Sequence, residues 1–395
     1  MDKLTNIQVF RDPIYGYIHV EYRFIKELID TFVFQRLRRI KQLSGVCMVF
    51  HCAEHSRFSH SLGVYELANR LCKNNDVNNT LSDREKLLLL TSALLHDIGH
   101  GAYSHAFEDV FKVNHEQIGA RIIKEDQEIQ KILSQVDEKF STDCSNIILH
   151  KSPYKIIESL ISSQIDIDRL DYLGRDAYFT GAPYGYVDFE RIIRIMRIVD
   201  GRVVFKESGI HAIENYLISR YHMYWQVYYH KTARGYEIIL EKIYNRIYDL
   251  LKERYHFINN VQLIAAITKN PHSIHDYLQI DDNYINSLIV ALLNEEDPIL
   301  HQLCYDFTHR KIWASLPYDP SNELIKNIIA KGNLYNYCIR GVSQNTYNET
   351  TIIDNSINIL LDDGSIKSIL NVSPVVNSLQ TSGYKEDLRF FYRHE

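Results

Sequence analysis

The stretch TSALLHDIGHGAYSH, residues 91–105, places His96, Asp97, His100 and His105 where an apolar run ends. Burying an unpaired carboxylate is costly, so Asp97 is expected to have a cation or a hydrogen-bond donor beside it. A lone His-Asp pair also suits an exposed helix C-terminus, where the helix dipole favours histidine. Residues elsewhere in the chain are needed to distinguish these two interpretations.

Other metal-ligand residue types lie on both sides of this stretch. His60 lies upstream in HSRFSHSLGV, and Asp168 lies downstream in IDIDRLDYLGRD. Together with His96 and Asp97 they supply two nitrogen and two oxygen ligands. That set suits an octahedral ion such as Mn²⁺ or Fe²⁺, whereas zinc is less typical without thiolates. It leaves positions for a water and a phosphoryl oxygen, which metal-assisted hydrolysis requires.

Helices are predicted to position these residues, because apolar residues recur at three-to-four spacing along most of the chain. The sequence SDRE at 82–85 matches a capping box. The predicted helices are Phe32 to Leu43, Ser59 to Lys73, Ser82 to Asp97, Asn114 to Lys124, Pro153 to Ser162, Gln164 to Arg175, Gly209 to Thr232 and Gly235 to Glu253.

Short β-forming runs around Asp-Gly predict a hairpin near 198–205, and the same signal recurs over 357–370. Asp387 to Arg393 is predicted to supply a further strand. We therefore expect a mainly α fold, with a helical domain over 1–330 whose core spans about 50–180, and a small α+β lobe over 331–395.

Composition limits the class of protein. The chain has 395 residues and a net charge of −6, which argues against a protein that coats duplex nucleic acid but allows a small cationic pocket. The N-terminus has no signal-peptide core, and the most apolar run, 87–95, is too short to span a membrane. Six scattered cysteines without a CxxC motif favour a reducing compartment. These features predict a cytoplasmic protein with no membrane partner.

The order of His60, His96-Asp97 and Asp168 resembles the metal signature of the HD-domain phosphohydrolases. Seven segments are similar, more closely, to the deoxynucleoside triphosphate triphosphohydrolases, in the branch with the vertebrate dNTP-degrading enzyme and its bacterial relatives. They run in order from about residue 7 to 240: RDPIYGYIHV, QRLRRIKQL, HSRFSHSLGV, LLHDIGHGAYSH, NHEQIG, IDIDRLDYLGRD and YYHKTARG.

This resemblance implies a dNTP substrate, hydrolysed to a deoxynucleoside and inorganic triphosphate. His60, His96, Asp97 and Asp168 would hold a divalent transition metal (Mn, Fe or Zn), with Mg²⁺ bridging the triphosphate. A 5′-alkoxide is a poor leaving group, so a protonated imidazole nearby is the natural acid. By the same resemblance, His105 and His115 match the acid–base residues, Glu108 and Glu116 would orient such imidazoles, and His100 would contact phosphate. The family more often has Asp at position 108.

The resemblance also implies a substrate pocket. Three arginines would bind the triphosphate, a tyrosine would leave no room for a 2′-hydroxyl, two polar residues would bind the 3′-hydroxyl, and two further residues would pack on sugar and base. The three arginines are Arg57, Arg169 and Arg220, and the tyrosine is Tyr172. The two polar residues are Gln42 and Asp176, and the residues that pack on sugar and base are Leu43 and Tyr228. The family often has Lys at position 169. Tyr229 replaces a smaller polar residue near the base edge, which leaves base preference open.

Asp30, Gln35 and Arg38 match positions that bind a regulatory guanine nucleotide in this branch, and Lys206 occupies a basic position of the same pocket. Gln8 replaces a family lysine there. The resemblance therefore implies nucleotide activation and a homotetramer.

Two alternatives stay open. One is another HD phosphohydrolase, acting on nucleoside monophosphates or as a nuclease on nucleic-acid ends. The other is a nucleotide sensor without turnover, or a single-strand nucleic-acid binder that uses the aromatic, basic helix at 216–236. The intact metal set argues against an inactive site, and the net acidity disfavours a nucleic-acid partner.

Overall fold

The computed structural model describes residues 2–270, 273–344, 356–381 and 385–394, apart from the side chains of His105 and Gln344. Helices dominate this part of the chain and strands are short, which confirms the mainly α prediction. The α-helices are α1 Arg23–Asp30, α2 Phe32–Arg36, α3 Arg57–Cys72, α4 Asn75–Thr80, α5 Asp83–Leu95, α6 His105–Phe111, α7 His115–Glu125, α8 Gln127–Leu133, α9 Phe140–Ile148, α10 Lys155–Ile161, α11 Ile167–Thr180, α12 Phe189–Ile195, α13 Ile210–Met223, α14 Lys231–Lys252, α15 Gln262–Lys269, α16 Ile274–Tyr277, α17 Asp282–Ala291, α18 Pro298–Thr308, α19 Glu323–Ala330, α20 Ile369–Val372 and α21 Pro374–Thr381.

Short 3₁₀ turns connect several helices, and a π-helical turn covers Tyr224–Tyr228. The 3₁₀ turns are Leu37–Arg39, Ser44–Met48, Pro183–Gly185, Glu207–Gly209 and Leu292–Asn294. The strands are β1 Lys3–Asp12, β2 Gly16–Tyr22, β3 Met196–Val199, β4 Arg202–Lys206, β5 Ala314–Pro317, β6 Tyr337–Gln344, β7 Asn358–Leu360, β8 Ile366–Ser368 and β9 Lys385–Tyr392.

Within the described residues the strands form three small sheets. β1 and β2 form an antiparallel hairpin, β3-β4-β7-β8 form a second sheet in which β4 and β7 are parallel, and β5-β9-β6 form an antiparallel third. The predicted hairpins near 198–205 and 357–370 are thus present, as is the strand near 387–393. Strands from before and after residue 330 share the second and third sheets, and the domain boundary there stays a prediction.

The centre of the helical part is α3, which packs on both α5 and α11. Most residues of α3 and α5 are buried, because both helices are enclosed by others. The predicted capping box starts α5: the Ser82 side chain accepts from the Glu85 N–H, and the Glu85 carboxylate accepts from the Ser82 N–H. Helix α11 can approach α3 closely because Gly63 has no side chain. A Cβ atom there would lie 1.8 Å from Asp171 Oδ1.

Several sequence predictions need correction; the helix predicted over Gln164 to Arg175, for example, spans Ile167–Thr180. The helix predicted over Phe32 to Leu43 ends at Arg36, and the chain tightens into a 3₁₀ turn before Ile40 becomes extended. The helix predicted over Gly209 to Thr232 ends in the π-helical turn, and a new helix starts at Lys231 with the His230 side chain as its cap. The hairpin of β1 and β2 was not predicted, because β1 is mostly exposed and lacks a clear apolar alternation.

Among the helices of the described chain, none combines the length and the apolar character needed to cross a membrane. All six cysteines are free thiols.

Candidate active site

The four predicted metal ligands come together where α3, the end of α5 and the start of α11 meet. His60 Nε2 lies 3.2 Å from His96 Nε2 and 3.0 Å from Asp168 Oδ1. His96 Nε2 lies 3.3 Å from Asp97 Oδ1 and 3.6 Å from Asp168 Oδ1. Four side chains separated by up to 108 positions therefore surround one point.

The donor set fits a divalent cation. Two imidazole nitrogens that face each other, with carboxylate oxygens around them, share either a proton or a cation. Ligand atoms of His60, His96 and Asp97 lie within 4.8 Å of one another, and Asp168 adds a second carboxylate. Two nitrogens and two oxygens without thiolate suit manganese or iron better than a structural zinc.

Asp171 supports His60 from behind. Its Oδ2 atom lies 2.8 Å from His60 Nδ1, and the pKa of Asp171 is lowered to about 2: burial raises it, but Arg175 and His60 outweigh burial. The carboxylate can only accept, so Nδ1 carries a proton and Nε2 faces His96 and Asp168. Burial lowers the pKa of His60, but hydrogen bonds to Asp168 and Asp171 outweigh it and raise the pKa to about 10. A cation bound to His60 Nε2 would compete with the proton that this nitrogen otherwise carries.

Arg57 supplies the partner that buried Asp97 requires. Its Nη1 donates to Asp97 Oδ2 at 2.5 Å, and its Nε donates to Ser104 Oγ at 3.0 Å. Burial raises the pKa of Asp97, yet the charges of His96, Arg57 and His100 hold it well below its usual range. Arg57 is the first residue of α3, one turn before His60, so one helix start carries both a candidate metal ligand and a neighbouring cation.

A second cluster adjoins the first. Glu108 Oε1 lies 3.0 Å from His100 Nδ1 and 3.1 Å from His115 Nδ1, and the two imidazoles stack with centroids 3.9 Å apart. His100 Nε2 reaches Asp97 Oδ1 at 3.3 Å, which joins the two clusters. Glu108 therefore bridges the two imidazoles.

The two imidazoles of this cluster differ in their affinity for a proton. Burial and the charges of Arg57 and His115 lower the pKa of His100 to about 4. Burial also lowers the pKa of His115, but the hydrogen bond and charge of Glu108 outweigh it, so the net pKa is raised. His115 is thus the better proton carrier of the pair near neutral pH.

The two remaining predicted acid–base residues differ in placement. His105 begins α6, and its side chain lies outside the described part of the structure. Glu116 is half-exposed and faces His150, with Oε1 3.8 Å from His150 Nε2. The structure therefore does not group Glu116 with the His100–Glu108–His115 cluster.

Aromatic residues extend the site away from the metal ligands. The Tyr172 ring lies 6.5 Å from His60 and 6.1 Å from Tyr228, between centroids. Tyr228 donates its hydroxyl to Asp176 Oδ2 at 2.8 Å, and His55 Nε2 lies 2.7 Å from Asp176 Oδ1. His55 was not predicted. Its sequence signal was its place five residues before His60, at the start of HSRFSHSLGV, one of the segments that carry the family resemblance.

The three predicted triphosphate arginines have different surroundings. Arg57 pairs with Asp97, and Arg169 pairs closely with Asp166, the buried N-cap of α11. Arg220 contacts Gln164 Oε1 at 3.2 Å and, within the described residues, forms no ion pair. Burial raises the pKa of the Tyr172 hydroxyl strongly, and both Arg169 and Arg220 oppose that rise, which places the two guanidinium groups near this ring.

Gln42 and Leu43 lie on the chain that leads into the 3₁₀ turn at Ser44–Met48. The Gln42 backbone N–H donates to the His55 carbonyl at 3.0 Å, whereas its side-chain Oε1 is buried without a hydrogen-bond partner in the described structure. Leu43 is partly buried against the core. A buried amide oxygen without a donor is unfavourable, and a ligand hydroxyl would satisfy it.

The predicted regulatory residues fall in two places. Asp30 pairs with Lys26, Gln35 Nε2 donates to the Ile29 carbonyl at 2.7 Å, and Arg38 Nε donates to Gln35 Oε1 at 2.8 Å. Lys206 lies at the end of β4, in the second sheet. The structure thus brings Asp30, Gln35 and Arg38 together along α1, α2 and the following turn.

Sequence reasoning also missed the residues that fix the loop after Asp97. Buried Arg36 donates from Nη1 to the His100 carbonyl at 2.9 Å and from Nη2 to the Ile280 carbonyl at 2.7 Å. The Tyr277 hydroxyl donates to the Gly99 carbonyl at 2.7 Å. Nothing distinguishes Arg36 from its arginine neighbours in the sequence QRLRR, because its partners are 64 and 244 residues away.

Asp282 fixes the same loop from the other side. Its carboxylate accepts from the backbone N–H of Tyr103 at 2.8 Å and of Lys41 at 2.9 Å. Tyr103 and Ser104 both have left-handed backbone angles, with φ of 54° and 45°. Such conformations are costly for residues with side chains and need support from their surroundings. Asp282 supplies that support between Asp97 and α6.

Comparison with known proteins agrees with this arrangement. The model of the family described as "HD domain" matches residues 57–176, and the "HD associated region" matches residues 187–280. The chain is 45% identical over 325 residues to the protein YwfO of Bacillus subtilis, a match that covers 82% of this chain and 75% of that protein. It is 30% identical over 277 residues to the deoxynucleoside triphosphate triphosphohydrolase SAMHD1 homolog of Dictyostelium discoideum, covering 64% of this chain and 53% of that one.

A solved structure gives the same result for the fold. The crystal structure of a phosphohydrolase from Bacteroides thetaiotaomicron superposes with a TM-score of 0.86 at 28% identity, covering 98% of this chain and all of that one. The similarity therefore extends over the helical part and the small sheets alike.

Proposed function

Because this chain belongs to the HD-domain phosphohydrolases, in the dNTPase-like family, we propose that it cleaves a deoxynucleoside triphosphate into a deoxynucleoside and inorganic triphosphate. The oxygen of water forms a bond to the α-phosphorus, the bond from that phosphorus to the 5′-oxygen breaks, and the 5′-oxygen gains a proton.

One juxtaposition carries the proposal. A four-residue ligand set for a divalent cation lies beside Tyr172, and Arg220 near that ring has no ion-pair partner among the described residues. A partly buried guanidinium without a counter-charge is unfavourable unless an anion binds there. A polyphosphate supplies several negative charges and oxygen acceptors at once.

The chain's own residues would divide the work. His60, His96, Asp97 and Asp168 would hold the divalent metal, which supplies Lewis acidity and lowers the pKa of a coordinated water when bound. Arg57, placed on Asp97, would orient that carboxylate and add positive charge near the phosphoryl group. Arg220 would bind the distal phosphates.

His115 would donate the proton that the 5′-oxygen needs. Its raised pKa favours the protonated imidazole, and Glu108 holds the ring by Nδ1. His105 would share this role from the start of α6, and His100 would contact phosphate. Position 108 carries Glu where the family more often has Asp, and the longer side chain reaches both His100 and His115.

The aromatic extension would bind the nucleoside. Tyr172 next to His60 would lie against C2′ and exclude a 2′-hydroxyl, and Asp176 with Gln42 would bind the 3′-hydroxyl. Gln42 has the buried, unpartnered oxygen described above, which suits a hydroxyl donor. Leu43 and Tyr228 would pack on sugar and base. Arg169 would add positive charge near the triphosphate while it stays paired with Asp166.

The assembly is also part of the proposal. We propose a transition metal with Mg²⁺ bridging the triphosphate, a cytoplasmic homotetramer, and activation by a nucleotide bound near Asp30, Gln35 and Arg38, with Lys206 joining from β4. Nucleotide activation requires that the nucleotide binds the assembled form better than the separate subunits.

Product analysis tests the reaction. The purified chain is incubated with each dNTP and with Mn²⁺ or Mg²⁺, and the products are resolved by anion-exchange chromatography. Triphosphate and deoxynucleoside in equal amounts support the proposal. Orthophosphate or cleavage of monophosphates would instead favour another HD phosphohydrolase, and no turnover with retained nucleotide binding would favour a sensor.

Matched variants test the site. His96→Ala and Asp97→Ala should abolish turnover while circular dichroism shows the wild-type helix content. His211→Ala is the control, because the His211 side chain is 97% exposed and its hydrogen-bond partner is Glu214, at 2.8 Å. Turnover near wild type in either site variant would refute the metal assignment.

A further inference from the structure

The turn that joins β1 and β2, sequence RDPIYG at 11–16, has no role in the function proposed above, although it is one of the segments that carry the family resemblance. Asp12 Oδ1 accepts from the backbone N–H of Ile14 at 2.8 Å and of Tyr15 at 3.1 Å. Gly16 has a φ of 77°, a left-handed conformation that favours glycine. The Asp12 side chain and Gly16 therefore fix the shape of this turn.

Two side chains of the turn reach into the core. Asp12 Oδ2 accepts from Arg175 Nη1 at 2.8 Å, and the Tyr15 hydroxyl donates to Asp171 Oδ1 at 2.8 Å. Arg175 in turn donates from Nε and Nη2 to both Asp171 oxygens, each at 2.9 Å. The turn thus contacts Asp171 twice, directly through Tyr15 and indirectly through Arg175.

Asp171 is the residue that contacts His60 Nδ1 at 2.8 Å. Every member of the chain from turn to ligand is buried: Asp171 and Arg175 have no exposed area, His60 has 1%, and Asp12 and Tyr15 have less than a tenth. A hydrogen-bonded chain without solvent has few alternative arrangements, because each group that leaves its partner stays unsatisfied. The position of the Asp171 carboxylate therefore depends on the turn.

Each oxygen of the Asp171 carboxylate accepts two hydrogen bonds. Oδ1 accepts from Tyr15 and Arg175, and Oδ2 accepts from Arg175 and His60. Removing the Tyr15 hydroxyl leaves Oδ1 with Arg175 as its one described donor, so the carboxylate is held less firmly. A carboxylate that is held less firmly also fixes His60 less firmly, because Oδ2 is the acceptor for Nδ1 and thereby directs the Nε2 atom.

We propose that Asp12 and Tyr15 are positioning residues for the metal ligand His60, acting through Arg175 and Asp171. The inference rests on the proposed function in one respect, that His60 binds a metal. It adds that the N-terminal hairpin, remote in sequence and with an exposed first strand, sets the affinity and geometry of that site.

The test is metal binding by the full chain without nucleotide. Tyr15→Phe keeps the ring, which packs edge-on against Phe189 with centroids 5.2 Å apart, and removes only the hydroxyl. Tyr65→Phe is the matched control: its hydroxyl donates to the His19 carbonyl of β2 at 3.3 Å, so it also removes one hydrogen bond to the hairpin. Mn²⁺ affinity is measured by titration with detection of free Mn²⁺ by electron paramagnetic resonance.

We expect Tyr15→Phe to weaken Mn²⁺ binding about tenfold, the lower end of the loss that outer-shell partners of metal ligands cause, and Tyr65→Phe to leave it unchanged. The visible absorption bands of the Co²⁺-loaded protein should shift in Tyr15→Phe alone, because they report ligand geometry rather than hairpin stability. Asp12→Asn should weaken Mn²⁺ binding as well, since it removes the charge that holds Arg175.

Each outcome has one meaning when His96→Ala is titrated beside these variants. If the wild-type chain binds Mn²⁺, His96→Ala does not, and Tyr15→Phe binds it as tightly as wild type, then only the positioning role is overturned. Equal losses in Tyr15→Phe and Tyr65→Phe, with unchanged Co²⁺ bands, also overturn it and indicate general hairpin stability. A wild-type chain that binds no Mn²⁺, or binds it equally in His96→Ala, overturns the metal assignment first and this inference with it.

Discussion

Replacing Gly63 by alanine tests the contact between the two helices that carry His60 and Asp168. A Cβ atom at position 63 would lie 1.8 Å from Asp171 Oδ1 and 2.4 Å from Arg175 Nη2, both on side chains with no exposed area. Ordinary van der Waals contact begins near 3.4 Å, so Asp171 has to move by about 1.6 Å. Its 2.8 Å hydrogen bond to His60 cannot survive that displacement.

The cost follows from two effects. Overpacking a filled interior costs about 1–3 kcal/mol. Separating one partner from a buried ion pair costs about 3–5 kcal/mol when the pair breaks fully. We therefore expect Gly63→Ala to lower the free energy of unfolding by about 3 kcal/mol or more, and to weaken Mn²⁺ binding by about 10–100-fold through the lost support of His60.

Gly174→Ala is the matched control, because it lies in α11 and its Cβ would meet nothing within 4 Å. Alanine in a helix is more favourable than glycine by about 0.5–1 kcal/mol, so this variant should be as stable as wild type or more so. Urea unfolding and Mn²⁺ titration of all three proteins provide the comparison. A Gly63→Ala protein with wild-type stability and wild-type Mn²⁺ affinity would refute the packing argument.

Three further predictions concern the pocket and its surroundings. Arg220→Met should raise KM for dNTP about tenfold or more and reduce the salt dependence of KM, whereas exposed Arg202→Met should leave both unchanged; equal effects would remove Arg220 from the triphosphate site. Tyr172→Ala should raise kcat/KM for a ribonucleoside triphosphate relative to its deoxy counterpart, and an unchanged ratio would contradict its role in sugar selection. Burial raises the pKa of Asp282 to about 6, so the folded chain keeps a proton that the unfolded chain releases near pH 4. The contribution of Asp282 to the unfolding free energy should therefore fall as pH rises from about 4 to 6, so the difference between wild type and Asp282→Asn in urea titrations should change over that range; parallel curves would contradict the shift.

Periodicity and capping signals predicted the helices that form the core. Helix α5 begins at the predicted capping box, and α3 falls within two residues of both predicted bounds, whereas α11 begins three residues and ends five residues later than predicted. The errors occur where tertiary contacts override local preference. The segment after Arg36 leaves the helix where distant groups bind its backbone: the Lys41 N–H donates to Asp282 Oδ2, and the Ile40 carbonyl accepts from the Arg57 N–H. Neither partner is recognisable from the local sequence.

The four candidate metal ligands could be named because their residue types and order match a known signature, and the structure brings all four together. Helical spacing places Asp171 one turn from Asp168, but most of the other side chains that support the candidate ligands could not be derived in this way. Tyr15 and Asp171 are separated by 156 positions, and no local pattern reports a hydrogen bond between them. Long-range contacts of this kind depend on how the β1–β2 hairpin packs against α11, which composition and spacing do not encode.

Crystals grown with Mn²⁺ provide the most direct test of the metal centre, by anomalous diffraction at the manganese edge. We predict one strong peak bonded to the Nε2 atoms of His60 and His96 and to carboxylate oxygens of Asp97 and Asp168. The neighbouring cluster of His100, Glu108 and His115 also places candidate ligand atoms close together, so the experiment has a defined alternative. A peak seated there instead, or four ligand side chains that point apart with Mn²⁺ bound elsewhere, would contradict the account.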